Sequence, residues 1–248
     1  MPLLEIILLT GLVVFITHSL ESVTGFGCSA IAIPFVIVIM GDIEKAKIVL
    51  SILAWILALY FAITKFHQIC WKEFRVIALF SLAGMPLGIF LFSHLDSDIL
   101  TRLLGIFIAV SSTVQFYKTL RVRKILDGEK QSGFGGYIYL FLGGIVHGAF
   151  ATGGPLIILY SAEKLRDKSQ FRATMCLLWA VLNTFLVIGY FAGDKITLEL
   201  AEYVLYLLPF LVAGIITGEY LHRRIDGHMF RLVIFSTLAL VGMIMIFT

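Results

Sequence analysis

Apolar residues run along this chain in eight long stretches, at roughly 3–40, 46–64, 74–93, 99–117, 134–160, 172–193, 200–221 and 229–247. Charged residues collect between them. Six of the stretches are about 18–22 residues long, the length of one helix across a bilayer. The other two are too long for that. As one straight helix, 3–40 would reach about 57 Å at 1.5 Å per residue, nearly twice the hydrocarbon thickness. Both long stretches are interrupted by glycine, in TGFGCS at 24–29 and ATGGP at 151–155. The pattern predicts an all-α polytopic membrane protein with two hairpins broken at glycine.

The distribution of Lys and Arg decides whether each hairpin returns to its starting side. With both returning, segments 65–75, 118–130, 161–172 and 222–231 share one side and hold 15 of the 19 basic residues. The opposite side keeps Lys45, Lys47, Arg102 and Lys195. If 134–160 crossed once instead, the split would be 9 against 10, with no bias. Basic residues favour the cytoplasmic side, so the hairpin topology is expected, with the N- and C-termini outside. Stretch 3–40 has room for one full and one short helix. Stretch 134–160 has less room, which favours re-entry.

Each half then reads as a hairpin followed by three spanning helices. Three is odd, so the second half enters from the opposite face, which makes an inverted-topology repeat. The expected division is an N-terminal repeat over 1–117, a cytoplasmic linker over 118–133 and a C-terminal repeat over 134–248. Weak internal symmetry agrees. At an offset of 126, Gly25-Phe26-Gly27 falls on Ala151-Thr152-Gly153, and Glu21 falls on His147. At an offset of 130, Gly84/Gly88 fall on Gly214/Gly218 and Asp96 on Asp226. The glycine pairs have the small-xxx-small spacing of helix contacts and are read as packing.

Composition sharpens the class. Hydrophobic residues make up 60% of the chain and charged residues 14%, against about 25% charged in soluble domains. A net charge of +3 without a basic–aromatic groove argues against a nucleic-acid partner. Cys28, Cys70 and Cys176 have no paired spacing and read as small hydrophobes, not a disulfide or metal framework. The first apolar stretch begins at Leu3 with no basic residue ahead of it, so it reads as mature protein and not as a signal peptide. No HExxH, GxSxG or CxxC motif is present, which argues against an enzyme. The loop His94-Leu-Asp96-Ser-Asp98 reads as solvated. No metal or cofactor is expected.

Breaks at membrane depth survive only inside protein or beside water. A helix that starts after such a break points amides and a positive dipole end at the gap, which suits an anion. Two breaks related by symmetry would aim two such ends at one central site. The candidate binding residues are therefore Thr24, Gly25, Gly27, Cys28, Ser29, His147, Thr152, Gly153 and Gly154, with Asn183 from the later span 172–193. Ionisable residues at the breaks, His18, Glu21 and His147, are the candidates for a coupling proton or a gate. Glu219 is expected to pair with Arg223, within one turn.

The stretches TGFGCSAIAIPF at 24–35, GGIVHGAFATGGPLIILY at 143–160 and KSQFRATMCLLWAVLN at 168–183 resemble the TauE/SafE family of sulfite and organosulfonate exporters. The resemblance covers essentially the whole chain. Cys28 and Ser29 stand where that family often has further glycine. The resemblance implies a secondary transporter of the bacterial inner (plasma) membrane that exports small sulfur oxyanions or sulfonates. The partners expected are the bilayer and a small anion, with a homo-oligomer left open. Two other readings stay open. One is transport of a cation or neutral solute, for which buried Glu21 is the support. The other is a membrane subunit that assists a partner complex.

Overall fold

The computed structural model describes residues 3–94, 135–165 and 167–224, with scattered positions between 102 and 117. The linker 118–133, the span 229–247, Asp96, Asp98, Asp226 and most of span 99–117 lie outside the described residues. Among the described residues every regular element is helical: α1 (Leu3–Thr24), α2 (Cys28–Met40), α3 (Ile43–Thr64), a 3₁₀ turn (Phe66–Gln68), α4 (Trp71–His94), α5 (Gly135–Phe150), α6 (Gly154–Lys164), α7 (Lys168–Ala192) and α8 (Leu198–His222). Five of these, α1, α3, α4, α7 and α8, are long and apolar enough to span a bilayer. Large apolar side chains face outward along them, including Ile63, Leu79, Phe191 and Ile216. Only a hydrocarbon solvent accommodates that surface. The protein is a polytopic helical membrane protein.

Both long apolar stretches break where glycine interrupts them. The first becomes the 22-residue α1 and the 13-residue α2, and the second the 16-residue α5 and the 11-residue α6. In the second pair Gly143 lies against Ile157, and Gly136 against Tyr160, the order of an antiparallel hairpin. Caps set several other boundaries. Asp42 Oδ1 accepts the amides of Glu44 and Lys45 at 2.8 and 3.0 Å, which starts α3 before its apolar run. Asp167 Oδ1 does the same for Ser169 and Gln170 at 3.0 and 2.8 Å. Such a cap contributes about 1 kcal/mol.

The helices group into two compact units. The first comprises residues 1–75 and 165–224: α1, α2, α3, the 3₁₀ turn, α7 and α8. Here α8 packs along α1, α7 along α3, and α2 beside both α1 and α3. The ends of these helices are matched by side chains. Lys195, just after α7, pairs with Glu44 at the start of α3 at 2.6 Å. Lys65, just after α3, pairs with Glu219 in the last turn of α8 at 2.8 Å. Lys168, which opens α7, donates to the His222 carbonyl at 2.7 Å. The end of α3, the start of α7 and the end of α8 therefore lie at one end of the unit. Glu219 pairs with Lys65, not with Arg223 as local spacing suggests, because the tertiary neighbour comes closer.

The second unit, among the described residues, holds most of α4 and all of α5 and α6. Gly84 and Gly88 of α4 face the backbone at Phe141 and Ile145 of α5. Reciprocally, Gly144 and Gly148 face the backbone at Ser81 and Met85. A Cβ at any of these four would collide with main chain, so the helices approach as closely as glycine allows. In the first unit Gly214 and Gly218 of α8 face α1 between Phe15 and Ser22. Both glycine pairs thus serve packing. Each unit joins a broken hairpin to helices from the other half of the sequence.

Candidate functional site

The first break is Gly25-Phe26-Gly27, with Gly25 and Gly27 at φ 82° and 103°. Left-handed backbone of this kind favours glycine. The Gly25 amide donates back to the Glu21 carbonyl at 2.6 Å, and the Ile31 amide to the Gly27 carbonyl at 3.1 Å. The second break repeats this at the 126-residue offset. Ala151, at φ 56°, donates to the His147 carbonyl at 2.7 Å, and Ile157 donates to the Gly153 carbonyl at 3.3 Å. The two breaks therefore share one backbone construction. They differ in the side chain carried one turn before the break, a carboxylate at Glu21 and an imidazole at His147.

Glu21 is buried, and its Oε2 accepts the amide of Cys28 at 2.8 Å. The carboxylate thus sits on the start of α2, where the dipole is positive. By helix geometry the next amides, of Ser29 and Ala30, have no partner within α2. A Cβ on Gly27 would meet no atom within 4 Å, so the space beside this helix start is open.

The other side of the break is tied to α7 and α8. The last carbonyls of a helix lack amide donors from its own backbone, and at the end of α1 three side chains supply them. Arg172 Nη1 donates to Ser22 O at 2.9 Å, His222 Nδ1 to Val23 O at 2.7 Å, and Trp179 Nε1 to Gly25 O at 2.8 Å. The negative dipole end of α1 thus receives a guanidinium, an imidazole and an indole. Gly25 also packs on the Arg172 backbone, where a Cβ would lie 2.8 Å from its Cα.

The remaining candidates divide by unit. In the first unit, His18 is fully buried and donates Nδ1 to Val14 O at 3.0 Å, while its Nε2 has no partner among the described residues. The Thr24 hydroxyl is taken up locally, by Leu20 O at 2.8 Å and Phe26 O at 2.9 Å. Cys28 Sγ lies 3.7 Å from Ser29 Oγ. Asn183 is buried, and its Oδ1 lacks a partner among the described residues. Its neighbour Thr184 accepts Trp55 Nε1 at 2.8 Å. In the second unit His147 and Thr152 are buried, and Thr152 Oγ1 lacks a partner among the described residues. Gly153 packs on the Gly143 carbonyl and the Cβ of His147.

Sequence reasoning missed the roles of Arg172 and His222, counting the first among loop cations. The signal available was Asp167: a capping residue there starts α7 at Lys168 and places Arg172 one turn inside the helix.

Residues 10–245 match the family model described as sulfite exporter TauE/SafE. A relative from Comamonas testosteroni, "Probable inner membrane transporter protein TsaS", is 27% identical over 165 residues, 64% of this chain and 65% of the relative. The match therefore spans just under two thirds of that protein's length. No solved structure matches the chain.

Proposed function

Because the chain belongs to the TauE/SafE family of sulfite exporters, a family of membrane transporters and not enzymes, we propose that it is a secondary transporter exporting a small anion. Sulfite, an organosulfonate or a related sulfur oxyanion is the substrate, and the bacterial inner membrane the location. The carrying observation is the shared construction of the two glycine breaks, each opening onto a buried ionisable residue, Glu21 or His147. It supports an inverted repeat, with halves 1–117 and 134–248, in which both breaks contribute to anion handling. In the first unit the helix start at Cys28 supplies amides to an oxyanion, with Ser29 and Asn183 as polar side chains; in the second the helix start at Gly154 does so, with His147 and Thr152.

Glu21 gives this reading a mechanism. Its carboxylate occupies the first amide of α2 as an internal anion. An arriving oxyanion competes for the same positive helix end. Protonating Glu21 weakens its hold and frees the amide, which links anion movement to proton movement. The test is flux of labelled sulfite by the purified chain in liposomes, with and without a pH gradient. Saturable flux that follows the gradient supports both parts. Flux indifferent to the gradient removes proton coupling. Absence of flux for sulfite, sulfonates and thiosulfate overturns the anion reading and favours a subunit that works only with a partner complex.

A further inference from the structure

Arg172 lies one turn inside α7 and is only 4% exposed. A guanidinium carries five N–H donors. Among the described residues one of its nitrogens makes a hydrogen bond, Nη1 to Ser22 O, and Nε has no partner. Among the described residues its charge has no carboxylate to itself. Glu219 Oε1 is 4.0 Å from Nη2 but 2.8 Å from Lys65 Nζ, so two cations share one acid. The guanidinium carbon lies 4.8 Å from the centre of the Phe61 ring, a contact that stabilises the cation through its face and does not engage the in-plane Nε.

Two more buried polar atoms at this helix end lack partners among the described residues, Nε2 of His222 and Oγ of Ser22. Arg172 and His222 are bonded to consecutive carbonyls, those of Ser22 and Val23. Buried charge without full pairing is costly, and ionisable groups within a membrane protein mark solute pathways. Capping α1 requires only Nη1 of Arg172 and Nδ1 of His222. The atoms left over are a strong donor, a hydroxyl and a ring nitrogen.

We propose that Arg172, His222 and Ser22 form an anion subsite on the transport route, with Arg172 as the fixed counter-charge of the small oxyanion. This rests on the anion-transport reading above. Arg172 Nε and the Ser22 hydroxyl donate to the oxyanion's oxygens. Nε2 of neutral His222, whose Nδ1 is already the donor to Val23, accepts the acid proton of a monoprotonated oxyanion such as hydrogen sulfite.

The test is labelled-sulfite flux by the full chain in liposomes, comparing the unaltered protein with Arg172→Gln, Arg172→Lys and His222→Asn. Asparagine keeps a donor where Nδ1 stands and removes Nε2, so it separates anion contact from capping. Arg172→Gln is expected to raise KM about tenfold or more, the loss of one charge-assisted contact. Arg172→Lys should fall between, and His222→Asn should raise KM about threefold with Vmax retained. Folded variants with reduced Vmax and unchanged KM would reduce Arg172 to a structural cap and overturn the subsite. If Arg172→Gln does not fold, an unchanged KM in His222→Asn overturns it alone. A KM shift seen only in vesicles containing phosphatidylglycerol would assign Arg172 to a lipid headgroup, also overturning it. If the unaltered protein moves no sulfite, the transport reading fails and the subsite falls with it. If it moves sulfite and none of the three variants changes KM, only the subsite fails.

Discussion

Glu21 reaches across the first glycine break to Cys28, its carboxylate 2.8 Å from the amide that opens α2. The contact ties the end of one helix to the start of the next. It also places a carboxyl group on the helix end that an oxyanion would seek. Glu21→Gln keeps a carbonyl oxygen for the Cys28 amide and removes the titrating group. The expected outcome is a folded protein whose sulfite flux no longer follows a pH gradient, measured in liposomes on both sides of neutrality. Flux that still follows the gradient would exclude Glu21 as the coupling residue.

Trp179 donates its indole N–H to the Gly25 carbonyl. Trp179→Phe leaves that buried carbonyl short of a donor and removes part of a large ring. The loss should be about 1–3 kcal/mol, seen as a lower thermal midpoint of the detergent-solubilised protein. An unchanged midpoint would mean that the break does not depend on this bond.

Close helix contact makes a further prediction by contrast. Gly148→Ala puts a methyl group against the Met85 carbonyl on α4 and should destabilise by about 1–3 kcal/mol. Gly189→Ala lies within α7, with no atom within 4 Å of its added Cβ. It should be neutral or stabilising by up to about 1 kcal/mol. Thermal midpoints of the two variants side by side would check this, and equal midpoints would contradict the packing account.

The matched ends of the first unit predict labelling. Glu44 pairs with Lys195, while Lys65 pairs with Glu219. With the three native cysteines replaced, single cysteines at Asp42 and Asp194 should react with an impermeant maleimide from one side of the membrane. Those at His67 and Arg224 should react from the other. Labelling of Asp42 and Asp194 from opposite sides would break the topology and the repeat together.

The helices and breaks are legible in the sequence because their causes are local. An apolar run too long for one span, with glycine in its middle, must turn, and both breaks lie where glycine stands. Boundaries shift where a cap lies outside the apolar run, as Asp42 extends α3 back to Ile43. Long-range relationships are not legible. Nothing in the sequence says that a carboxylate at 21 bends back to an amide at 28, because that depends on Gly27 at φ 103°. Glu219 reads as a partner for Arg223 because sequence offers only near neighbours, and its partner Lys65 lies just beyond another helix. Arg172 reads as a loop cation because charge counts do not register depth.

The carbonyls of Ser22, Val23 and Gly25 find their donors on Arg172, His222 and Trp179, 150 to 199 residues further along the chain. During synthesis the first hairpin is therefore made long before anything can tie down its tip. Insertion delivers α1 and α2 early, and they keep the unpaired end of a helix until the last third of the chain arrives. Neither half can be finished on the ribosome before the other is present. Assembly of the first unit therefore closes with the late return of α7 and α8 to a hairpin already in the bilayer.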